Sequence, residues 1–127
     1  MERDVSVLVL ESSKVVAAQM VELIKSIAGV NHIFYGATFE KPIHLLYSDK
    51  VDVVICGLVL SDENLSKLIE LRITCKPFCL MLVTDDIEKY KEKYADLGID
   101  FYLSYQRMSM ELPELFVRAA KITFQPA

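Results

Sequence analysis

Long basic runs are missing from this 127-residue chain, and its formal net charge is −4. Without a concentrated cationic surface the sequence carries no electrostatic footprint for nucleic acid. No run approaches the roughly 20 apolar residues that a membrane span requires. The opening "MERDVSVLVLESS" has too short an apolar run, between acidic flanks, to read as a secretory signal. Cysteine is scarce and odd in number: Cys56, Cys75 and Cys79. An odd set makes no disulfide framework and suits a reducing compartment. Cys75 and Cys79 have no matching Cys/His pair to complete a zinc site, and a redox role for the two stays open. Cys56 sits inside an apolar run and reads as a small buried hydrophobe. His32 and His44 fall in separate elements with no ligand set beside either. The expectation is a soluble, cytoplasmic protein that calls for no metal and no cofactor.

The usual loops for phosphate chemistry are missing as well. "ESSKVVAAQ" contains no glycine, which a flavin-phosphate loop would want, and neither a P-loop nor a GxGxxG occurs anywhere. No nucleophile–base pair stands out, so an enzyme is not expected.

What the sequence does contain is a regular alternation, with 53% hydrophobic residues and no internal linker. "VSVLVL" (5–10), "NHIFYGA" (31–37), "VDVVICG" (51–57), "PFCLMLVT" (77–84) and "IDFYLSY" (99–105) read as strands. Near-continuous apolar strands are those covered on both faces. Amphipathic stretches separate them. "SSKVVAAQMVELIKSIAG" is a helix capped by Ser12 or Ser13, with Val16, Met20, Leu23, Ile24 and Ile27 inward and Gly29 after its end. A short helix follows Thr38, its proposed cap, with Pro42 in the first turn. The third helix starts near Asp62 and buries Leu65, Leu68, Ile69 and Leu71. The fourth, "DDIEKYKEKYADLG", stops at Gly98, and the last is expected from a Ser109 cap with Leu112, Leu115, Phe116 and Ala119 inward. Strands alternating with helices imply a (βα)5, doubly wound α/β fold with right-handed crossovers. The expected sheet is five-stranded and parallel, flavodoxin-like, in order 2-1-3-4-5, with 1–127 as one domain. This topology places a crevice at the strand ends, lined by Glu11, Ser12, Gly57, Thr84 and Tyr105.

At these positions the chain resembles the receiver domains of two-component response regulators, the CheY-like family. The resemblance rests on element order, on spacing, and on phrases such as "VDVVICGL" and "DLGIDFYLSY". An active receiver carries an acidic pair after strand one that helps hold Mg²⁺, a phospho-acceptor Asp ending strand three, a hydroxyl ending strand four and a Lys ending strand five. Carboxylates suit a hard cation, and the Lys and metal neutralise charge as the acceptor attacks phosphorus. Here the acidic pair becomes Glu11 and Ser12, the acceptor becomes Gly57, and the Lys becomes Tyr105 followed by Gln106. Asp52 begins its strand and Asp62 lies beyond it, so neither replaces the acceptor. Thr84 matches the hydroxyl, and Tyr102 matches the aromatic switch position. Asp85 stands where the family favours a small residue and is expected to project toward the pocket.

The resemblance implies a degenerate pseudo-receiver: a phosphorylation-independent signalling module acting through a protein partner or a homodimer. The family's usual surface is the fourth helix, fifth strand and last helix, here offering Lys89, Tyr90, Lys93, Tyr94, Tyr102 and Tyr105. Tyrosine is enriched at interface hot spots. The same tyrosines also fit a packed arrangement with only their hydroxyls wet. An alternative function is a sensor that takes a small molecule or anion in the vacated pocket near Ser12, Gly57 and Thr84, where glycine allows close backbone approach.

Overall fold

The computed structural model describes residues 5–40, 44–47, 51–58, 61–74 and 78–123. In chain order the elements are β1 (Val5–Leu10), α1 (Lys14–Lys25), β2 (Val30–Gly36), α2 (His44–Tyr47) and β3 (Val53–Cys56). They continue with α3 (Asp62–Thr74), β4 (Cys79–Val83), α4 (Ile87–Lys93), β5 (Phe101–Leu103) and α5 (Met108–Thr123). The strands form one five-stranded sheet in order β2-β1-β3-β4-β5, and every neighbouring pair is parallel.

Side-chain alternation along each strand divides the interior into two cores. Val7 and Val9, Val53 and Ile55, and Met81 and Val83 face one side, where Met20 and Ile24 of α1 and Leu112 and Phe116 of α5 cover them. Leu8 and Leu10, Val54 and Cys56, and Leu80 and Leu82 face the other, against Leu46 of α2 and Leu65, Leu68 and Leu71 of α3. Two covered faces explain why these strands are apolar without a break. Each fully buried aliphatic side chain contributes roughly 1.5–3 kcal/mol relative to exposure.

β1 has the expected bounds and β2 is shifted by one residue, while β3, β4 and β5 are shorter than the sequence suggests. Val51 and Phe78 are buried, yet they lie outside the ladders of β3 and β4. Hydrophobicity reports burial, while a strand ends where pairing ends. β5 pairs with β4 over only Met81–Val83 and Phe101–Leu103.

Several helix ends also differ from expectation. Ser13 caps α1, accepting from the Val16 N–H, which settles the choice between Ser12 and Ser13. Ser61, not Asp62, caps α3: its hydroxyl accepts from the Asn64 N–H at 3.1 Å, and its carbonyl accepts from the Leu65 N–H. Asp62 is instead the first helical residue, where a carboxylate suits the positive end of the helix dipole. Ser109 lies inside α5 rather than capping it, because the turn before that helix is bridged by the Ser104 hydroxyl, which accepts from the Arg107 N–H. α2 covers only His44–Tyr47, so the described helix does not reach back to Thr38; Pro42 and Pro77 fall outside the described residues.

Polar clasps hold the edges together. Asp52 accepts from the Ser6 N–H at 2.9 Å, joining β1 to the start of β3. Asp100 accepts from Arg72 Nη1 at 2.7 Å and from the Leu80 N–H at 2.8 Å, while Arg72 Nη2 also donates to the Gly98 carbonyl. The Arg72 and Asp100 side chains are only 18% and 19% exposed. Asp100→Ala strands a backbone N–H and a guanidinium together. It is expected to lower unfolding free energy by about 1–3 kcal/mol in urea denaturation, and a neutral result would mean that water replaces the clasp.

Candidate functional site

Three strand ends converge at the centre of the C-terminal edge of the sheet. Glu11 follows β1, and its backbone N–H donates to the Gly36 carbonyl at 3.1 Å. Gly57 follows β3, and its N–H donates to the Leu10 carbonyl at 2.7 Å. Tyr105 lies just past β5 and turns its ring inward, packing against the core on the α1/α5 side. Its hydroxyl donates to Glu11 Oε1 at 2.8 Å and lies 3.2 Å from the Gly57 carbonyl oxygen. Glu11 Oε2 accepts from the Ser13 N–H at 2.9 Å. Both carboxylate oxygens of Glu11 are thus engaged, and the residue is 4% exposed.

The space above Gly57 is occupied. A β-carbon there would overlap Glu11 Oε1 and stand 2.7 Å from the Tyr105 hydroxyl. The glycine serves clearance rather than backbone conformation, since the positive-φ glycines are Gly29 and Gly98. The phenol of Tyr105 and the carboxylate of Glu11 hold the space directly above Gly57, while Gly57 still borders a cavity beside it.

Of the five expected crevice residues, the structure brings Glu11, Gly57 and Tyr105 into one hydrogen-bonded group. Ser12 is exposed. Thr84 is outside that hydrogen-bonded group: its hydroxyl accepts from the Asp86 N–H at 3.2 Å, and it lines the cavity that Gly57 and Tyr105 also border. Asp86, in turn, caps α4 by accepting from the Lys89 N–H. Tyr35, which no periodicity singles out, joins the group from β2 by donating its hydroxyl to the Glu11 carbonyl at 3.0 Å. Its only sequence signal is its place next to Gly36 at a strand end.

Burial raises the Tyr105 pKa well above the ordinary tyrosine range, and the hydrogen bond and charge of Glu11 raise it further, with Asp85 adding to the effect. Tyr105 therefore stays a neutral donor. Burial likewise pushes the Cys56 and Cys79 thiols up to about 12, which makes both poor nucleophiles. Cys75 lies outside the described residues. His32 stacks on Phe34, with ring centroids 6.5 Å apart, and both histidines are exposed. Among the described residues no three His, Cys, Asp or Glu side chains cluster to hold a metal ion, and no helix is long and apolar enough to cross a membrane.

Beside the closed centre, a cavity of about 400 Å³ opens toward α4. Thr84, Asp85 and Tyr105 line it, so Asp85 does reach the edge of this space.

The expected interaction surface needs a correction at Tyr94. That residue is 5% exposed and belongs to the core on the α3/α4 side, with Tyr90 and Tyr102 packed against the same cluster. The Tyr90 and Tyr94 rings lie 5.5 Å apart. Tyr94 caps the C-terminal end of the seven-residue α4, one helical turn after Tyr90, so both rings lie on its inward side. Lys89 and Lys93 remain exposed, and Lys93 Nζ sits 5.3 Å from the Tyr94 ring centre. Tyr102 is half-buried, and burial followed by the neighbouring Tyr94 raises its pKa. Tyr105 belongs to the strand-end group, not to an outer face.

No protein-family model matches the sequence, and no curated protein matches it. Solved structures do match in shape. A pilus assembly-related protein from Burkholderia pseudomallei superimposes with a TM-score of 0.80 at 16% identity, covering 97% of this chain and 94% of that one. The signal receiver domain of an HD domain-containing protein from Pseudomonas fluorescens gives 0.76 at 19% identity, covering 96% and 98%. The response regulator RcsB from Salmonella typhimurium gives 0.79 at 16% identity, covering 98% of this chain and 64% of that one. The chain has the fold of CheY-like response-regulator receiver domains.

Proposed function

We propose that the chain is a receiver-like signalling module, a single domain over 1–127, that works without phosphorylation and acts by protein–protein contact. The observation that carries this reading is the closed centre. Where a receiver presents an acceptor carboxylate, this chain has Gly57, and the volume above it is held by Glu11 and Tyr105. Phosphoryl transfer needs a nucleophile with room for in-line attack and cations to neutralise the developing charge. Here both oxygens of Glu11 are engaged and Tyr105 supplies no positive charge. Contact with a protein partner or a second copy then falls to the α4–β5–α5 face. Lys89, Lys93, the outer edge of Tyr90 and the half-buried Tyr102 are its available groups.

The direct test is intact mass after incubation with Mg²⁺ and acetyl phosphate, beside a phosphorylatable receiver as positive control. The expected result is no phosphoryl adduct on this protein. A stoichiometric adduct on any Asp, Glu or Ser would overturn the reading.

A further inference from the structure

The 400 Å³ cavity beside the closed centre has a definite chemical character. Its body is apolar, walled by Leu58, Leu65 and Leu82 with the Tyr90 ring. Gly57 and Tyr105 line it as well, and the Tyr105 hydroxyl is hydrogen-bonded to Glu11 and lies 3.2 Å from the Gly57 carbonyl oxygen. Asp85 and Asp86 stand at the rim, and the charge of Asp85 is felt at Tyr105. Lys89 is the one cation lining the cavity among the described residues. Two backbone donors beside it are in use, since the Asp86 N–H binds Thr84 Oγ1 and the Lys89 N–H binds Asp86 Oδ1, so two carboxylates face one ammonium there.

We infer that this cavity receives an organic cation, a guanidinium or ammonium group on a compact apolar body. The charged group lies against Asp85 and the Tyr105 oxygen, and the body packs on Leu58, Leu65 and Leu82. Tyrosine faces add cation–π attraction. The volume falls at the small end of ordinary ligand sites. Such a cation arrives either as a free small molecule or as an arginine or lysine side chain of a partner, and the chemistry is shared. The cavity shares Gly57, Thr84 and Tyr105 with the strand-end site, so the inference rests on the reading that no phosphoryl group is taken there, and the two tests fail separately. It also reverses the sign of the ligand that a vacated phosphate pocket would suggest.

The test uses benzamidine and benzoate, which share size and shape and carry opposite charge. Each is titrated into the full chain while backbone amide NMR shifts are followed at Leu58 and at 84–89. Benzamidine is expected to give saturable shifts there with a dissociation constant on the order of millimolar, as for a fragment-sized ligand. Benzoate is expected to bind at least about tenfold more weakly, and Asp85→Asn to weaken benzamidine by about tenfold, the loss of one charged hydrogen bond. Asp85 is exposed, so the variant tests charge rather than folding. A short peptide with one central arginine, set against its citrulline counterpart, separates the sources. Tighter binding of the arginine peptide than of benzamidine indicates a partner side chain, and its exclusion while benzamidine binds indicates a free small molecule. Absence of saturable shifts with both cations, equal binding of benzoate, or indifference to Asp85→Asn overturns the inference.

Discussion

Gly57→Ala is expected to lower the unfolding free energy by about 1–3 kcal/mol, the usual range for forcing atoms into filled space. The added carbon would overlap Glu11 Oε1 and press on the Tyr105 hydroxyl 2.7 Å away. In open space the same change would stabilise by about 0.4–1 kcal/mol, because alanine restricts the unfolded chain. The two explanations for a glycine here thus differ in sign. Urea denaturation of the variant decides between them. A double-mutant cycle sharpens the result: in a Tyr105→Phe background the hydroxyl is gone and Glu11 has room to shift. The alanine should then cost less, with a coupling of about 0.5–3 kcal/mol. Strictly additive effects would mean that the contact across Gly57 is not what excludes a side chain. Gly57→Asp should fare worse than alanine, since it sets a second carboxylate against Glu11. That variant is also expected to stay unphosphorylated by acetyl phosphate, for want of space at position 57.

Tyr105→Phe removes the donor to a buried carboxylate. The expected loss is about 1–3 kcal/mol at neutral pH, because Glu11 keeps its burial and loses one of its partners. The pH dependence gives a second readout. The fold raises the Tyr105 pKa, so the native state favours its neutral form. Stability from that preference is fully present below the unfolded tyrosine pKa of about 10 and is lost as pH rises through the higher folded value. The wild-type protein should therefore lose stability above about pH 10 by a component that Tyr105→Phe lacks. Spectrophotometric titration of the six tyrosines should show Tyr105 ionising late, with Tyr102 also delayed. If the phenylalanine variant lost stability over the same alkaline range to the same extent, Tyr105 would not be the group held neutral by the fold.

Much of the architecture was legible in the chain itself. The apolar runs of β1, β3 and β4 carry no polar alternation, and only a sheet covered on both faces accommodates that pattern. The helical spacing of Met20 and Ile24, or of Leu65, Leu68 and Leu71, marks the covering faces, and all five are buried. Alternation of the two patterns then leaves a parallel, doubly wound sheet as the compact solution. Positions at strand ends follow from that topology, which is why Glu11, Gly57 and Tyr105 could be singled out together before any contact was known.

Contacts between those positions were a different matter. Nothing in the sequence near Tyr105 says that its ring turns inward, or that Glu11, 94 residues away in the chain, receives its hydroxyl. Gly57 alone is consistent with an emptied site or a crowded one, and only the neighbours that converge on it make it crowded. Tyr94 shows the same limit, since a short helix rich in Lys and Tyr has two candidate stripes. The sheet edge beneath α4 selects the aromatic one, because tyrosine buries a large ring where lysine keeps a solvated charge. The choice of Ser61 over Asp62 as a cap depends on one residue of helix register, below what periodicity resolves. Local pattern determined the elements and their order, because secondary structure and burial follow short-range periodicity. The closed centre, the inward tyrosines and the neighbouring cavity were decided only by tertiary packing, because each depends on side chains that are distant in sequence meeting at one point.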